Sequence, residues 1–171
     1  MQSLRRISLA VLWALAGVGG LCALIWGATA AGFIQPLVVI SGSMEPEIMT
    51  GDLLVDTRVQ AHDLRVGDVV SLPNPVAGEL VTHRIERIEP DGDSGYTITM
   101  KGDNNEFTDA VDYAVDGEVW APAVQVPGWG LVLMRMTAPA VAVPLLAGLL
   151  GLLGLALLIP KEETSPRTAV A

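Results

Sequence analysis

Two long stretches without a charged residue limit what this chain can become. No charge interrupts Ile7 to Met44, where Ile7 to about Ala31 is continuously apolar or small, and a second uncharged run extends from Thr137 to Pro160. Each exceeds the roughly 20 helical residues that cross about 30 Å of hydrocarbon. With 51% hydrophobic residues, 17% charged and a mean hydropathy of +0.48, the chain is too apolar for an ordinary soluble domain, and a membrane class follows.

Arg5 and Arg6 precede the first run, and Lys161 and Arg167 follow the second. The positive-inside bias then places both termini in the cytoplasm; Glu162 and Glu163 count little in that rule. Trp26 and Trp129 stand near the outer ends of the two runs, where they suit an aromatic interface belt or ordinary packing. Ala28-Thr29-Ala30 has the small-x-small form of a cleavable secretion signal, but the apolar stretch before it outruns the roughly 7 to 15 residues such signals carry. A retained anchor is the expectation. Cys22, the lone cysteine, allows no intrachain disulfide, and Leu21 stands where a lipidated cysteine would have a small neighbour.

The expected organisation is a cytoplasmic stub and anchor over 1–32, an extracytoplasmic domain over 33–136, a second membrane helix over 137–160 and a cytoplasmic tail over 161–171. The central 104 residues hold 17 of the 19 acidic residues and 6 of the 10 basic ones, a formal charge of −11. That surface argues against nucleic acid and against docking on anionic headgroups, both of which attract basic patches.

Within this domain, short apolar or β-branched runs alternate with turn residues: PLVVIS at 36–41, DLLVD at 52–56, DVVSL at 68–72, LVTHRIERIE at 80–89, YTITMK at 96–101 and EVWAPAVQV at 118–126. No 3.6-residue period competes with them, so the fold class is mainly β, an antiparallel domain flanked by two transmembrane helices. Tyr96, Ile98 and Met100 alternate with Thr97, Thr99 and Lys101, as in a strand with one buried face. A hairpin with the preceding strand, centred in the turn at 90–95, pairs position i with 185 − i and brings His83 opposite Gly102, beside Asp103.

The chemistry centres on SGSMEP, Ser41 to Pro46, where a strand ends in a turn that exposes Ser43. A serine becomes a nucleophile only beside a base. Of the two histidines, His62 reads as a solvated loop residue, whereas His83 lies in an apolar strand whose expected partner leads into the acidic residues around 103–109. A carboxylate that orients such a base completes a triad arrangement. No metal-ligand cluster, phosphate loop or dinucleotide fingerprint is present, so no cofactor is expected.

SGSMEP with GDLLV, then GDVV, then THRI, then KGDNN followed by Asp109 resembles the signal peptidase I family. More narrowly it is similar to the branch of archaea, the endoplasmic reticulum and some Gram-positive bacteria, in which histidine replaces the lysine base. The blocks run in order over 36–128. The resemblance implies a signal-peptidase-like β-domain with Ser43 as nucleophile, His83 as general base, and Asp103 and Asp109 as the acidic residues of the last block. It favours Asp109 for orienting His83; the hairpin register puts Asp103 nearer. Ser43 N–H and the Ser41 hydroxyl would hold the oxyanion. Val38, Val39 and Ile40 would line shallow pockets for a small-x-small substrate, or simply fill the core.

The implied partners are secretory preproteins, the lipid bilayer and the secretion translocon, at a prokaryotic plasma membrane. Two other readings compete: a self-cleaving repressor-type serine peptidase with a lysine base, and a non-catalytic membrane-anchored β-module.

Overall fold

A computed structural model describes residues 2–158 apart from 77, 93 and 94; the tail charges Lys161, Glu162, Glu163 and Arg167, and the Arg5 side chain, lie outside what is described. The chain divides into two units at Leu131.

The first unit opens with helix α1, Gln2–Ala30, in which Leu9–Ala30 is 22 residues long with hydropathy 2.1, long and apolar enough to cross a membrane. It stops where Gly32 takes φ 73°, a left-handed conformation that suits glycine. Phe33 N donates to Ala28 O and Gly32 N to Thr29 O, so the last carbonyls are satisfied and the chain turns sharply into the sheet.

Among the described residues seven strands follow: β1 Ile34–Val38, β2 Leu53–Gln60, β3 Val69–Pro73, β4 Leu80–Asp91, β5 Gly95–Lys101, β6 Tyr113–Asp116 and β7 Glu118–Val126. They form one antiparallel sheet in the order β1-β2-β7-β3-β4-β5-β6. Five of the six expected strands fall within about three residues of their observed ends. The sixth, β2, runs on to Gln60 because it pairs on both sides, with β1 and with β7. β1 starts two residues earlier than 36 and leaves the sheet after Val38, although Val39 still pairs by hydrogen bonds with Gly51 and Asp52. β6 was not foreseen: its four residues bury only Tyr113, and pairing with β5 is what makes them a strand.

The β4–β5 hairpin pairs Asp91 with Gly95 and Arg87 with Thr99, one residue off the expected register. An irregularity between Ile85 and Arg87 absorbs that residue, so Ile85 faces Met100 and Arg84 faces Lys101, on the expected register. His83 therefore lies next to the Gly102 level.

Side chains from several strands close the main core: Val70, Leu72, Ile85, Ile98, Met100 and Tyr113 are all at most 3% exposed. A second cluster joins Met44 and Ile48, from the loop after β1, to Leu54 of β2. Burying each such side chain contributes roughly 1.5–3 kcal/mol, so Met44 ties the residue after Ser43 to the sheet.

One core group runs against this economy. Asp56 of β2 is 0% exposed, and neither carboxyl oxygen has a hydrogen-bond partner among the described residues. Ser71 lies beside it, with its hydroxyl 2.7 Å from that of Thr82. Burial pushes the Asp56 carboxyl upward, only partly countered by Ser71.

The second unit, from Val132 on, begins inside the next helix. Helix α2, Trp129–Thr137, begins eight residues before the expected span and is followed by α3, Pro139–Leu158. Pro139 has no N–H to donate and disfavours helical geometry at Ala138, so the helices meet at a 66° bend. Over the described residues Trp129–Thr137 and Pro139–Gly151, the bent pair together has the length and apolarity of a membrane crossing.

Asp56 supplies a stability prediction. A carboxyl whose folded value is raised contributes most when protonated, and that contribution is lost as pH rises through the folded value. Asp56→Asn should therefore gain on the wild type as pH rises from about 4 to 8, by about 1–3 kcal/mol. Denaturant unfolding of the full chain in detergent micelles measures this; a pH-independent difference would refute it.

Candidate active site

Two loops far apart in the chain meet over one position of β4. The first, residues 39–52, links β1 to β2 and carries Ser43; the second, residues 102–112, links β5 to β6 and carries Asp109. Between them stands His83, 7% exposed. Its Nε2 is 3.0 Å from Ser43 Oγ, and its Nδ1 is 2.8 and 2.9 Å from the two oxygens of Asp109. Ser41 Oγ lies 3.2 Å from Ser43 Oγ.

Asp109 reaches the histidine because its loop returns to the strand it left: Asp109 N donates to Met100 O at 2.9 Å. Tyr113, four residues on, donates its hydroxyl to Asp109 Oδ2 at 2.9 Å. Burial together with the adjacent carboxylate pushes that phenol up to about 12.

The loops also grip each other through their backbones. Asn104 N donates to Ser43 O at 2.8 Å, and Asn104 Nδ2 to Gly42 O at 3.1 Å. Gly102 permits this approach: a Cβ there would sit 2.6 Å from Ser43 O and 2.8 Å from Asn105 Nδ2.

Asp103 does not bond to the imidazole. Arg84 Nε and Nη2 bind its two oxygens at 2.8 and 2.6 Å, while Nη2 also reaches Glu47 Oε2 at 2.6 Å and Nη1 donates to Gly67 O at 2.9 Å. The Arg84 hydrogen bonds outweigh burial and hold the Asp103 carboxyl below its usual range; the same bonds push Arg84 upward. The nearness of Asp103 that the register implied is real, but its partner is the guanidinium that follows His83.

Asp52, in GDLLV, holds the far end of the serine loop. Though burial opposes ionisation, its oxygens accept from Gly128 N at 2.8 Å, Gln125 Nε2 at 2.7 Å and Met49 N at 3.0 Å, and the carboxyl is lowered. Neither Asp52 nor Tyr113 was singled out from the sequence. A buried phenol needs a partner for its hydroxyl, and Tyr113 is one of only two tyrosines, so a cue existed.

The expected pocket residues divide. Val39 packs with the cluster around Met44, Val38 is partly buried in β1, and Ile40 is 76% exposed. His62 is exposed and 3.6 Å from Asp63. Lys101 Nζ lies 3.7 Å from Glu86. Among the described residues no group of three or more histidine, cysteine or acidic side chains could hold a metal ion.

No family model matches the chain. Among curated proteins it is 33% identical over 92 residues to the signal peptidase complex catalytic subunit SEC11C of Homo sapiens, covering 54% of this chain and 47% of the relative. It is 44% identical over 73 residues to signal peptidase I W of Bacillus subtilis (strain 168), covering 42% and 37% respectively. The signal peptidase complex catalytic subunit sec11 of Dictyostelium discoideum matches at 37% over 84 residues, covering 49% and 46%. Over this part of its length the chain is similar to signal peptidases. It spans about half the length, or less, of these relatives.

Gly102 provides a direct test of the loop contact. Gly102→Ala should push the Ser43 turn away, seen as faster amide exchange at Asn104, with a stability loss of about 1–3 kcal/mol. Unchanged exchange at Asn104 would mean that the two loops do not depend on this approach.

Proposed function

We propose that this signal peptidase homologue is a membrane-bound serine endopeptidase that removes signal peptides from secretory preproteins after a small-x-small site. The observation that carries the reading is the unbroken contact from Ser43 Oγ through His83 to Asp109. The scissile carbonyl is attacked by Ser43 Oγ as its proton passes to His83 Nε2. The imidazolium so formed keeps its Nδ1–H on Asp109, which fixes the ring and offsets its charge. Collapse of the tetrahedral intermediate returns that proton to the leaving amine, and water then cleaves the acyl-enzyme by the same groups. Ser43 N–H and the Ser41 hydroxyl serve as oxyanion donors; losing one such donor typically costs on the order of 100-fold or more.

Extended substrate fits the outer side of β1, the edge strand of the sheet, where main-chain pairing is available beside the serine loop. Of Val38, Val39 and Ile40, the exposed Ile40 is the freest to touch the substrate, with Val38 next to it. Asp103 supports the site through Arg84 and Glu47 and does not orient the base. A lysine base has no support, since Lys101 is engaged by Glu86.

In this reading α1 anchors the enzyme, α2 and α3 make a second, bent crossing, and both termini are cytoplasmic, with the domain over 33–136 outside. Lipid bilayer and translocon are then its surroundings at the plasma membrane.

Co-expression with a preprotein tests the chemistry. Ser43→Ala and His83→Ala should yield no product, since loss of a triad member costs up to about a million-fold, whereas Lys101→Ala should keep most activity. Wild-type kcat/KM should rise with pH as an imidazole loses its proton. An inactive Lys101→Ala beside an active His83→Ala would reverse the assignment. Protease added outside intact cells should reach the central domain alone; digestion of the C-terminal tail from outside would overturn the topology.

A further inference from the structure

The carboxylate that faces His83 is itself held from behind. Tyr113, 3% exposed, donates to the Asp109 oxygen that lies 2.9 Å from His83 Nδ1. The Asn74 side chain hydrogen-bonds the phenol in turn. Its Oδ1 accepts from Val76 N at 2.9 Å, which leaves the amide NH2 to face the phenol oxygen. A chain of polar groups thus runs from the β3–β4 turn to the serine: Asn74, Tyr113, Asp109, His83, Ser43.

We propose that Tyr113 is a positioning residue of the peptidase site, fixing the Asp109 carboxylate and drawing charge from the oxygen that meets His83. The proposal rests on the Ser43–His83 reading above. Its geometry has two independent supports. Asp109 lies in a loop whose neighbours Glu106 and Phe107 are exposed, so the loop alone does little to fix a rotamer. Tyr113, by contrast, is set in the core and in register with Ile98 of β5, and its hydroxyl position is as rigid as the sheet. No proton leaves Tyr113 during turnover. It remains a donor, since its acidity is displaced to about 12.

The electrostatic consequence has a definite sign. A hydrogen bond donated to a carboxylate spreads its charge, so the imidazolium opposite is stabilised less. The groups facing His83 are Asp109 on Nδ1, Ser43 on Nε2 and, through space, Asp103, whose charge Arg84 already engages. With Asp103 so occupied, Tyr113 is the group that sets how strongly Asp109 acts.

Tyr113→Phe keeps the ring in the core and removes only the hydroxyl. Cleavage by the full chain in detergent micelles should fall about 10-fold in kcat with KM little changed, and the acid limb of the profile should move to higher pH. Replacing tyrosine by the more acidic 3-fluorotyrosine, in a Tyr96→Phe background, should move the limb to lower pH. That opposite shift is one a merely structural role would not produce, and it stands in if Tyr113→Phe fails to fold. Superimposable profiles for all three proteins, with Ser43→Ala inactive, would overturn the positioning role and leave the peptidase reading intact. Should the wild type fail to cleave, the peptidase reading falls instead. The inference is then read from the imidazole titration by NMR in a His62→Asn background, where His83 is the sole histidine: an upward midpoint shift in Tyr113→Phe supports it and an unmoved midpoint sinks it.

Discussion

The site depends on one approach, that of the Ser43 carbonyl to the backbone of residues 102–104. The loops that meet there are separated by about sixty residues and four strands, and neither contains regular structure that could hold a geometry by itself. What brings them together is the sheet: β4 and β5 fix His83 and Gly102 at the same level, and β2 returns the serine loop to it. Gly102 then removes the side chain that would keep the loops apart, and the Asn104 N–H closes the gap. Around this contact lie two clasps of different character. Met44 and Ile48 hold by burial, which salt does not weaken. Arg84 holds Asp103 and Glu47 by charge; at 31% exposure its side chain is partly screened, but the two-pronged geometry on Asp103 exceeds what a lone surface pair supplies.

Much of this was legible in the sequence because strands leave a two-residue signature. The register of the β4–β5 hairpin was foreseen at the His83 end and missed by one residue near the turn, since nothing in the letters marks the irregularity after Ile85. β6 escaped because a four-residue strand with one buried side chain has no period to detect. The break at Ala138 was available in Pro139, but the uncharged run hid it: apolarity reads as one helix unless a proline is given its backbone meaning.

The two aspartates illustrate what register can and cannot say. It placed Asp103 beside His83, which is where the backbone runs, yet side-chain direction decides partners, and Asp103 turns to Arg84. Asp109 is six residues further on, a distance at which strand arithmetic is silent. Its position follows from a loop closing back onto Met100, a tertiary event anchored by Tyr113. For the same reason the buried Asp56 was invisible: an aspartate in DLLVD reads as a strand-end residue, and only the double pairing of β2 puts it inside.

Strand alternation also bears on why the proposed mechanism uses a histidine as its base. Lys101 is directly paired with Arg84, so it shares that residue's face of the sheet, while His83 shares the face of Ile85 and points inward. A lysine at 101 therefore cannot replace the imidazole without a one-residue slip of β5, and such a slip would expel Ile98 and Met100 from the core. Burial of those two alone is worth several kcal/mol, far more than any single ion pair at the rim could return. Glu86 takes up the ammonium on its own side, and the inward position is left to a side chain that can be neutral and still form hydrogen bonds at both ring nitrogens. Under the proposed mechanism, the choice of base is in this sense a consequence of the hairpin register that builds the core.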